Sequence, residues 1–255
     1  MPKPGLMELY LSHRGKVSDK WEAYFGIYDR VFAGLRDAPV RLLEIGVQNG
    51  GSLELWARYF ESARLILGCD VDQRCAALQY DDDRIDVVAS DVNSSFAYDD
   101  IRSLSERFDI IIDDGSHRSR DIIKALLRYF PLLEPGGLFV VEDLHAVYGG
   151  SHEGGPPGAY SAMDFLKLLA DLVNADFWRN DLPVANLLER YLSGAEAPAF
   201  LSDGSIESIE FSNSMAVIRR RAGPAMQGCG RRVIVGQEAM IAPAVLALRD
   251  QGSGS

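Results

Sequence analysis

Three cysteines, four histidines and fewer basic than acidic residues leave several chemistries without material in this 255-residue chain. Cys69, Cys75 and Cys229 have neither the paired spacing of a zinc cluster nor the even count of a disulfide scaffold, so free thiols in a reducing cytoplasm are expected. A formal charge of −11 repels phosphate backbones, and no basic, aromatic-laced patch offsets it, which excludes nucleic acid as a partner. No apolar run approaches the roughly 18 residues that a membrane span needs. Met1-Pro-Lys-Pro-Gly-Leu-Met7 also lacks the apolar core of a signal peptide, and a cytoplasmic protein is the expectation. The dinucleotide fingerprint G-x-G-x-x-G is missing because Gln48 stands at its second glycine, and no Tyr-x-x-x-Lys pair accompanies it. A nucleotide-sugar oxidoreductase loses support on both counts. No G-K-[ST] loop is present, so the ligand of the glycine turn is expected to carry no phosphate.

What is present is a regular alternation over residues 40 to 145. Short β-branched runs at Val40–Ile45, Arg64–Cys69, Ile85–Ala89, Phe108–Ile112 and Gly137–Val141 are separated by helix-length segments. That is the βαβ signature of a parallel sheet. Between the fourth and fifth runs, Ile122, Ile123, Leu126, Leu127 and Phe130 fall on one helical face, and Glu134-Pro-Gly-Gly137 is expected to break the chain before the next strand. A Gly/Pro-rich loop, Gly149–Gly158, precedes a helix over about Ala162–Asn174, and Ser205–Arg219 reads as a terminal hairpin. Five parallel strands closed by an antiparallel hairpin give a mostly parallel seven-stranded α/β sheet, the Rossmann-like layout of the class I methyltransferase fold. Residues 1–221 form that domain in this reading, and 222–255 an extension or linker ending in Gly252-Ser-Gly-Ser255.

Acidic residues gather where the strands end. Asp114, Glu142 and Asp143 follow the fourth and fifth runs and would emerge together at the carboxyl edge of the sheet, where open α/β sheets bind ligands. Their hard anionic oxygens suit Mg²⁺ or a similar cation better than zinc. His117 follows Asp114 by one turn and titrates near neutrality, which suits a general base beside the metal. The first run ends in Glu44-Ile-Gly-Val-Gln-Asn-Gly-Gly-Ser52, where Gly46 and Gly50 permit a tight turn into a helix that Ser52 has already entered. Asp70 stands at the second strand end, where a carboxylate bridges ribose hydroxyls, and Asp91 after the third, within reach of an adenine edge. Adenine, ribose and a cationic centre without phosphate describe S-adenosylmethionine.

Three motifs, E-I-G-V-x-x-G-G-S-L-x-x-W from Glu44, I-D-D-G-S-H from Ile112 and V-E-D-L-x-x-x-Y from Val141, resemble the metal-dependent sugar O-methyltransferases of macrolide biosynthesis, notably the mycinamicin type. The resemblance spans about residues 15 to 150. It implies Asp114, Glu142 and Asp143 as Mg²⁺ ligands, His117 as catalytic base, and S-adenosylmethionine held by Glu44, the glycine turn, Asp70, Asp91 and Asp113. Ser18-Asp-Lys20 with Tyr24 and Tyr28 resembles the family's T-D-K and Y-x-x-x-Y element, which places Lys20 near the methionine end of the cofactor; Glu22 stands where the family pattern has His. Gly15–Trp21 with Leu42–Ser52 is also similar to methyltransferase modules attached to glycosyltransferases of bacterial surface polysaccharides. The implied partners are a sugar or glycan acceptor, a linked glycosyltransferase domain and a second copy of the chain. A catechol-type methyltransferase and a catalytically silent module of a glycan-assembly protein are the alternatives.

Overall fold

A computed structural model describes residues 3–178, 184–192, 196–224, 228–230 and 232–248; the Gly252-Ser-Gly-Ser255 tail lies outside the described residues. Seven strands, β1 (Arg41–Ile45), β2 (Leu65–Asp70), β3 (Ile85–Ala89), β4 (Phe108–Asp113), β5 (Leu133–Val141), β6 (Ile206–Ser212) and β7 (Met215–Arg220), form one sheet in the order β3-β2-β1-β4-β5-β7-β6. β1 to β5 run parallel, and β7 pairs antiparallel with both β5 and β6. This is the sheet that the strand pattern predicts.

Alternation along each strand divides the core into two layers. Leu43, Leu67, Ile111, Phe139 and Val141 face one side, against α4 (Ser95–Leu104), α5 (Ser119–Tyr129) and α6 (Ala162–Val173). Leu42, Ile66, Ile110, Ile112, Leu138 and Val140 face the other, against α1 (Leu6–Ser12), α2 (Glu22–Val31) and α3 (Gly51–Tyr59). A further helix, α7 (Val184–Leu192), adds Leu188 and Leu192 to the first layer. α6 starts on a reciprocal capping box between Ser161 and Asp164, a feature worth about 1 kcal/mol. Its buried stripe is Phe165, Leu166, Leu169 and Leu172, with Leu168 only half-buried.

One local expectation is corrected. Glu134-Pro-Gly-Gly137 lies inside β5, because Leu133 already pairs with Phe108 and the ladder then shifts register between Phe108 and Ile110. Such an irregularity accommodates Pro135, which has no N–H to give the ladder.

The registers fix the geometry of the upper edge. Ile45 lies opposite Cys69 on one side and Asp113 on the other, and Asp113 lies opposite Val141. Gly46, Asp70, Asp114 and Glu142 therefore leave the sheet at one level, flanking the point between β1 and β4 where the strand order reverses. No described helix is long and apolar enough to cross a membrane.

Candidate active site

A cleft of about 900 Å³ opens at that reversal point and is lined by the β1, β2, β4 and β5 ends together with residues 17–21. Among the residues singled out in the sequence, Lys20, Gly46, Ser52, Asp70, Asp91, Asp113, Asp114, His117, Glu142 and Asp143 line it; Glu44 and Gly50 do not.

At one end the glycine turn shapes the wall. Gly46 holds φ +93°, and a Cβ there would lie 2.1 Å from the Asp114 carbonyl oxygen, so no larger residue fits between β1 and β4. Gly50 at φ +83° opens α3, and a Cβ would meet the Tyr80 hydroxyl at 2.2 Å. The Asp70 carboxylate accepts from Val47 N at 2.8 Å, Gln48 N at 2.9 Å and Asp72 N at 2.8 Å, which ties the turn to the β2 end. Asp91 accepts from Asn93 N at 2.9 Å. Beside it the Asn93 Oδ1 is buried with no hydrogen-bond partner, an acceptor left open on the cleft wall. These groups fit a nucleoside: carboxylates for hydroxyls, an unfilled acceptor for an amino group.

Behind the turn, fully buried Glu44 accepts from Ser52 Oγ at 2.5 Å and Trp56 Nε1 at 3.0 Å, and lies 3.7 Å from Lys20 Nζ. Burial pushes its carboxyl upward, with Lys20 opposing. In this arrangement Glu44 supports the turn and Lys20 from beneath.

At the other end the chemistry is ionic and comes from remote segments. Lys20 is almost fully buried, with Nζ 2.7 Å from Asp114 Oδ2 and 2.8 Å from Glu142 Oε1. Burial pulls its ammonium down, but Glu142, Asp114 and Glu44 outweigh that and hold it well above the usual lysine range. Burial pushes Glu142 upward against the pull of Lys20, and pushes Asp113 up to about 7 against one N–H from Gly115. Tyr28 donates its hydroxyl to Glu142, and Tyr24 donates to Asp143 Oδ1 at 2.6 Å. The i, i+4 spacing of these tyrosines puts both on one face of α2, aimed at adjacent carboxylates. Ser214, in the β6–β7 turn, meets Tyr24 Oη at 3.0 Å and His145 Nδ1 at 2.5 Å, and its carbonyl accepts from Leu144 N. Ser214 carries no signal in the sequence beyond lying in a hairpin turn.

Donor atoms of Asp114, His117 and Asp143 lie within 4.8 Å of one another, the one such cluster among the described residues. His117 Nε2 is 3.7 Å from Asp143 Oδ2. The two carboxylates at this spacing offer hard oxygens suited to a divalent cation such as Mg²⁺, with the imidazole beside them. The third predicted ligand, Glu142, turns its carboxylate inward to Lys20 and Tyr28 and is not part of that cluster. Gln48, His117 and Asp143 all hold left-handed backbone, at φ +51°, +55° and +54°, and all line the cleft. For non-glycine residues that conformation is uncommon, and it aims these side chains. Over His117, the loop carrying His152 is tied by Arg120 to Glu153 at 3.1 Å, with the two imidazole centroids 6.5 Å apart.

With this geometry in place, the comparisons are specific. A methyltransferase-domain family model matches residues 43–144. The 8-demethyl-8-α-L-rhamnosyl tetracenomycin-C 2′-O-methyltransferase of Streptomyces olivaceus is 34% identical over 89% of this chain and 58% of its own length. The mycinamicin VI 2″-O-methyltransferase of Micromonospora griseorubida is 34% identical over 58% of this chain and 38% of its own. In three dimensions, the MycE methyltransferase of the mycinamycin pathway, solved with Mg and S-adenosylhomocysteine, superposes with TM-score 0.69 at 27% identity, covering 86% of this chain and 55% of that one. The chain thus spans little more than half the length of the first of these relatives and of this structure.

Proposed function

We propose, from the homology of this chain to the sugar O-methyltransferases of the tetracenomycin and mycinamicin type, that it is the catalytic domain of an S-adenosylmethionine-dependent, Mg²⁺-dependent O-methyltransferase acting on a sugar hydroxyl. One observation carries the reading: the nucleoside-fitting turn and the Asp114–His117–Asp143 cluster open into the same cleft. S-adenosylmethionine is the methyl donor, and a bound cation supplies Lewis-acid stabilisation of the developing alkoxide. The Gly46–Ser52 turn, Asp70 and Asp91 take the nucleoside of the donor, while Lys20 and Asp113 lie toward its methionine end. Asp114 and Asp143 hold the cation, with Glu142 behind them and Glu44 supporting Lys20.

A sugar hydroxyl is a weak nucleophile near neutral pH. His117 Nε2 would accept its proton as the oxygen attacks the methyl carbon of the donor, the methyl–sulfur bond breaking with its electron pair left on sulfur so that S-adenosylhomocysteine departs, and the walls of the cleft would hold the two reactants in line. No covalent intermediate on the protein is needed. Tyr24 and Tyr28 keep Asp143 and Glu142 oriented through their hydroxyls. The relatives named above are O-methyltransferases of a rhamnosyl tetracenomycin-C and of mycinamicin VI, which favours a sugar carried by a small molecule over a surface polysaccharide as the acceptor.

The test is a methyl-transfer assay of the full chain with S-adenosylmethionine, Mg²⁺ and a panel of rhamnosides, other glycosides and oligosaccharides, with product linkage read by NMR. Transfer to a glycoside hydroxyl is expected. No transfer to any of them, with no calorimetric binding of S-adenosylhomocysteine, overturns the proposal.

A further inference from the structure

Trp21 is 59% exposed, whereas Trp56 is fully buried beneath the same cleft. It occupies the N-cap of α2, a position where Ser, Thr, Asp or Asn stabilises the helix through a side-chain hydrogen bond, and it makes none. Its ring therefore serves neither the core nor the helix end. It lines the cleft directly after Lys20, and its edge packs against the His145 imidazole with centroids 5.8 Å apart at 85°. The His145 ring is itself fixed, with Nδ1 held by Ser214 Oγ and lying 3.9 Å from Asp143 Oδ1. On the other oxygen of Asp143 stands His117. His117, Asp143 and Trp21 all line the cleft, and His145, which does not line it, bridges Asp143 to Trp21 from behind, so that imidazole and carboxylate stand at one end of a continuous strip and an indole at the other.

We infer that this strip is the acceptor subsite, in which the Trp21 indole packs against the apolar C–H face of the sugar ring whose hydroxyl lies at His117. The inference rests on the proposed function and names the residue that recognises its acceptor. An exposed indole beside carboxylates suits a neutral ligand with one apolar face and a rim of hydroxyls: the ring supplies area, and the polar groups fix orientation. A pyranose has that construction. His145 positions the indole by its edge contact, and Ser214 positions His145.

The test uses the full chain with Mg²⁺ and S-adenosylhomocysteine, titrated with methyl α-L-rhamnopyranoside and followed by saturation-transfer NMR, together with acceptor kinetics. Wild type is expected to saturate the ring C–H protons, Trp21→Ala to lose most of that signal, and Trp21→Phe to keep it. In the methyl-transfer assay Trp21→Ala is expected to raise the acceptor KM about tenfold, the scale of one aromatic contact, with kcat and S-adenosylhomocysteine affinity unchanged. His145→Ala is expected to give a smaller rise of the same kind. Trp21→Ala with wild-type saturation transfer and KM, at an unchanged Tm, overturns the inference and leaves the proposed function standing. Trp21-dependent glycoside binding without methyl transfer supports the subsite and counts against the function. No saturation transfer to the glycoside in wild type overturns the subsite.

Discussion

At the end of the cleft proposed for the nucleoside, the Gly46–Ser52 turn, Asp70 and Asp91 come from three successive strand ends, and backbone N–H groups of the turn already hold the Asp70 carboxylate. At the ionic end, Lys20, Tyr24, Tyr28, Asp114, His117, Glu142, Asp143 and Ser214 meet from four separated stretches of chain, joined by side-chain bonds such as Tyr24 to Asp143 and Lys20 to Asp114. The first end is written locally, as a turn between a strand and a helix. The second exists only when the amino-terminal helices and the terminal hairpin have docked. Function at the first end should therefore tolerate loosening of distant contacts, while the second should fail whenever one of its contributors is withdrawn.

The strongest challenge to that contrast is removal of the cation. EDTA treatment is expected to abolish turnover and added Mg²⁺ to restore it, with calorimetric S-adenosylhomocysteine affinity changed much less; full activity in a preparation verified as metal-free by mass spectrometry would refute the ionic end as assigned. Next in size is His117→Ala, expected to lower kcat by roughly 10² to 10⁴ as for loss of a general base. Calorimetric Mg²⁺ binding separates two roles here, because retention is expected for a base and a parallel collapse would make His117 a ligand, as its place in the donor cluster allows. Asp70→Ala tests the nucleoside end: losing charge-assisted bonds should weaken S-adenosylhomocysteine by roughly 1.5 to 3 kcal/mol, and unchanged calorimetric affinity would remove Asp70 from the nucleoside site. Tyr24→Phe deletes one hydroxyl that joins α2 to Asp143 and should cost about 1 kcal/mol in thermal or denaturant unfolding, with a several-fold loss of Mg²⁺ affinity. If both stay at wild-type values, the ionic end does not depend on α2 in the way described.

The smallest expected signal is a thiol count. Burial pushes Cys69 up to about 12 and also raises Cys75, while Cys229 is exposed. Native chain should react at one thiol within minutes and at all three after unfolding. Rapid native labelling of Cys69 would show that the sheet beneath the nucleoside end opens readily.

Much of this arrangement was legible in the sequence, and unevenly so. Strand runs bounded by glycine or acidic residues located β1 to β4 closely: β1, β2 and β4 are buried on both faces and leave continuous apolar runs, while β3, at the sheet edge and only partly buried, is marked by its β-branched residues. The start of β5 was not legible: a Pro-Gly-Gly step reads as a break, and only the partner strand reveals that the ladder begins before it. In the site, residue types marked Asp114, His117, Glu142 and Asp143, yet the orientation of Glu142 depended on Lys20 and Tyr28, which lie more than a hundred residues away. The distance from Tyr24 to Asp143, and the whole role of Ser214, are properties of helix and hairpin docking that no local pattern carries.

The left-handed backbone at Gln48, His117 and Asp143 has a bearing on how this domain would respond to laboratory evolution. Each such residue withholds about 1 kcal/mol or more from a fold whose total margin is only some 5 to 15. A screen for heat resistance alone would then reward glycine or asparagine at these positions first. His117→Gly should raise Tm where most substitutions lower it, and the hardier variants from such a screen would have lost the proposed proton acceptor in becoming so.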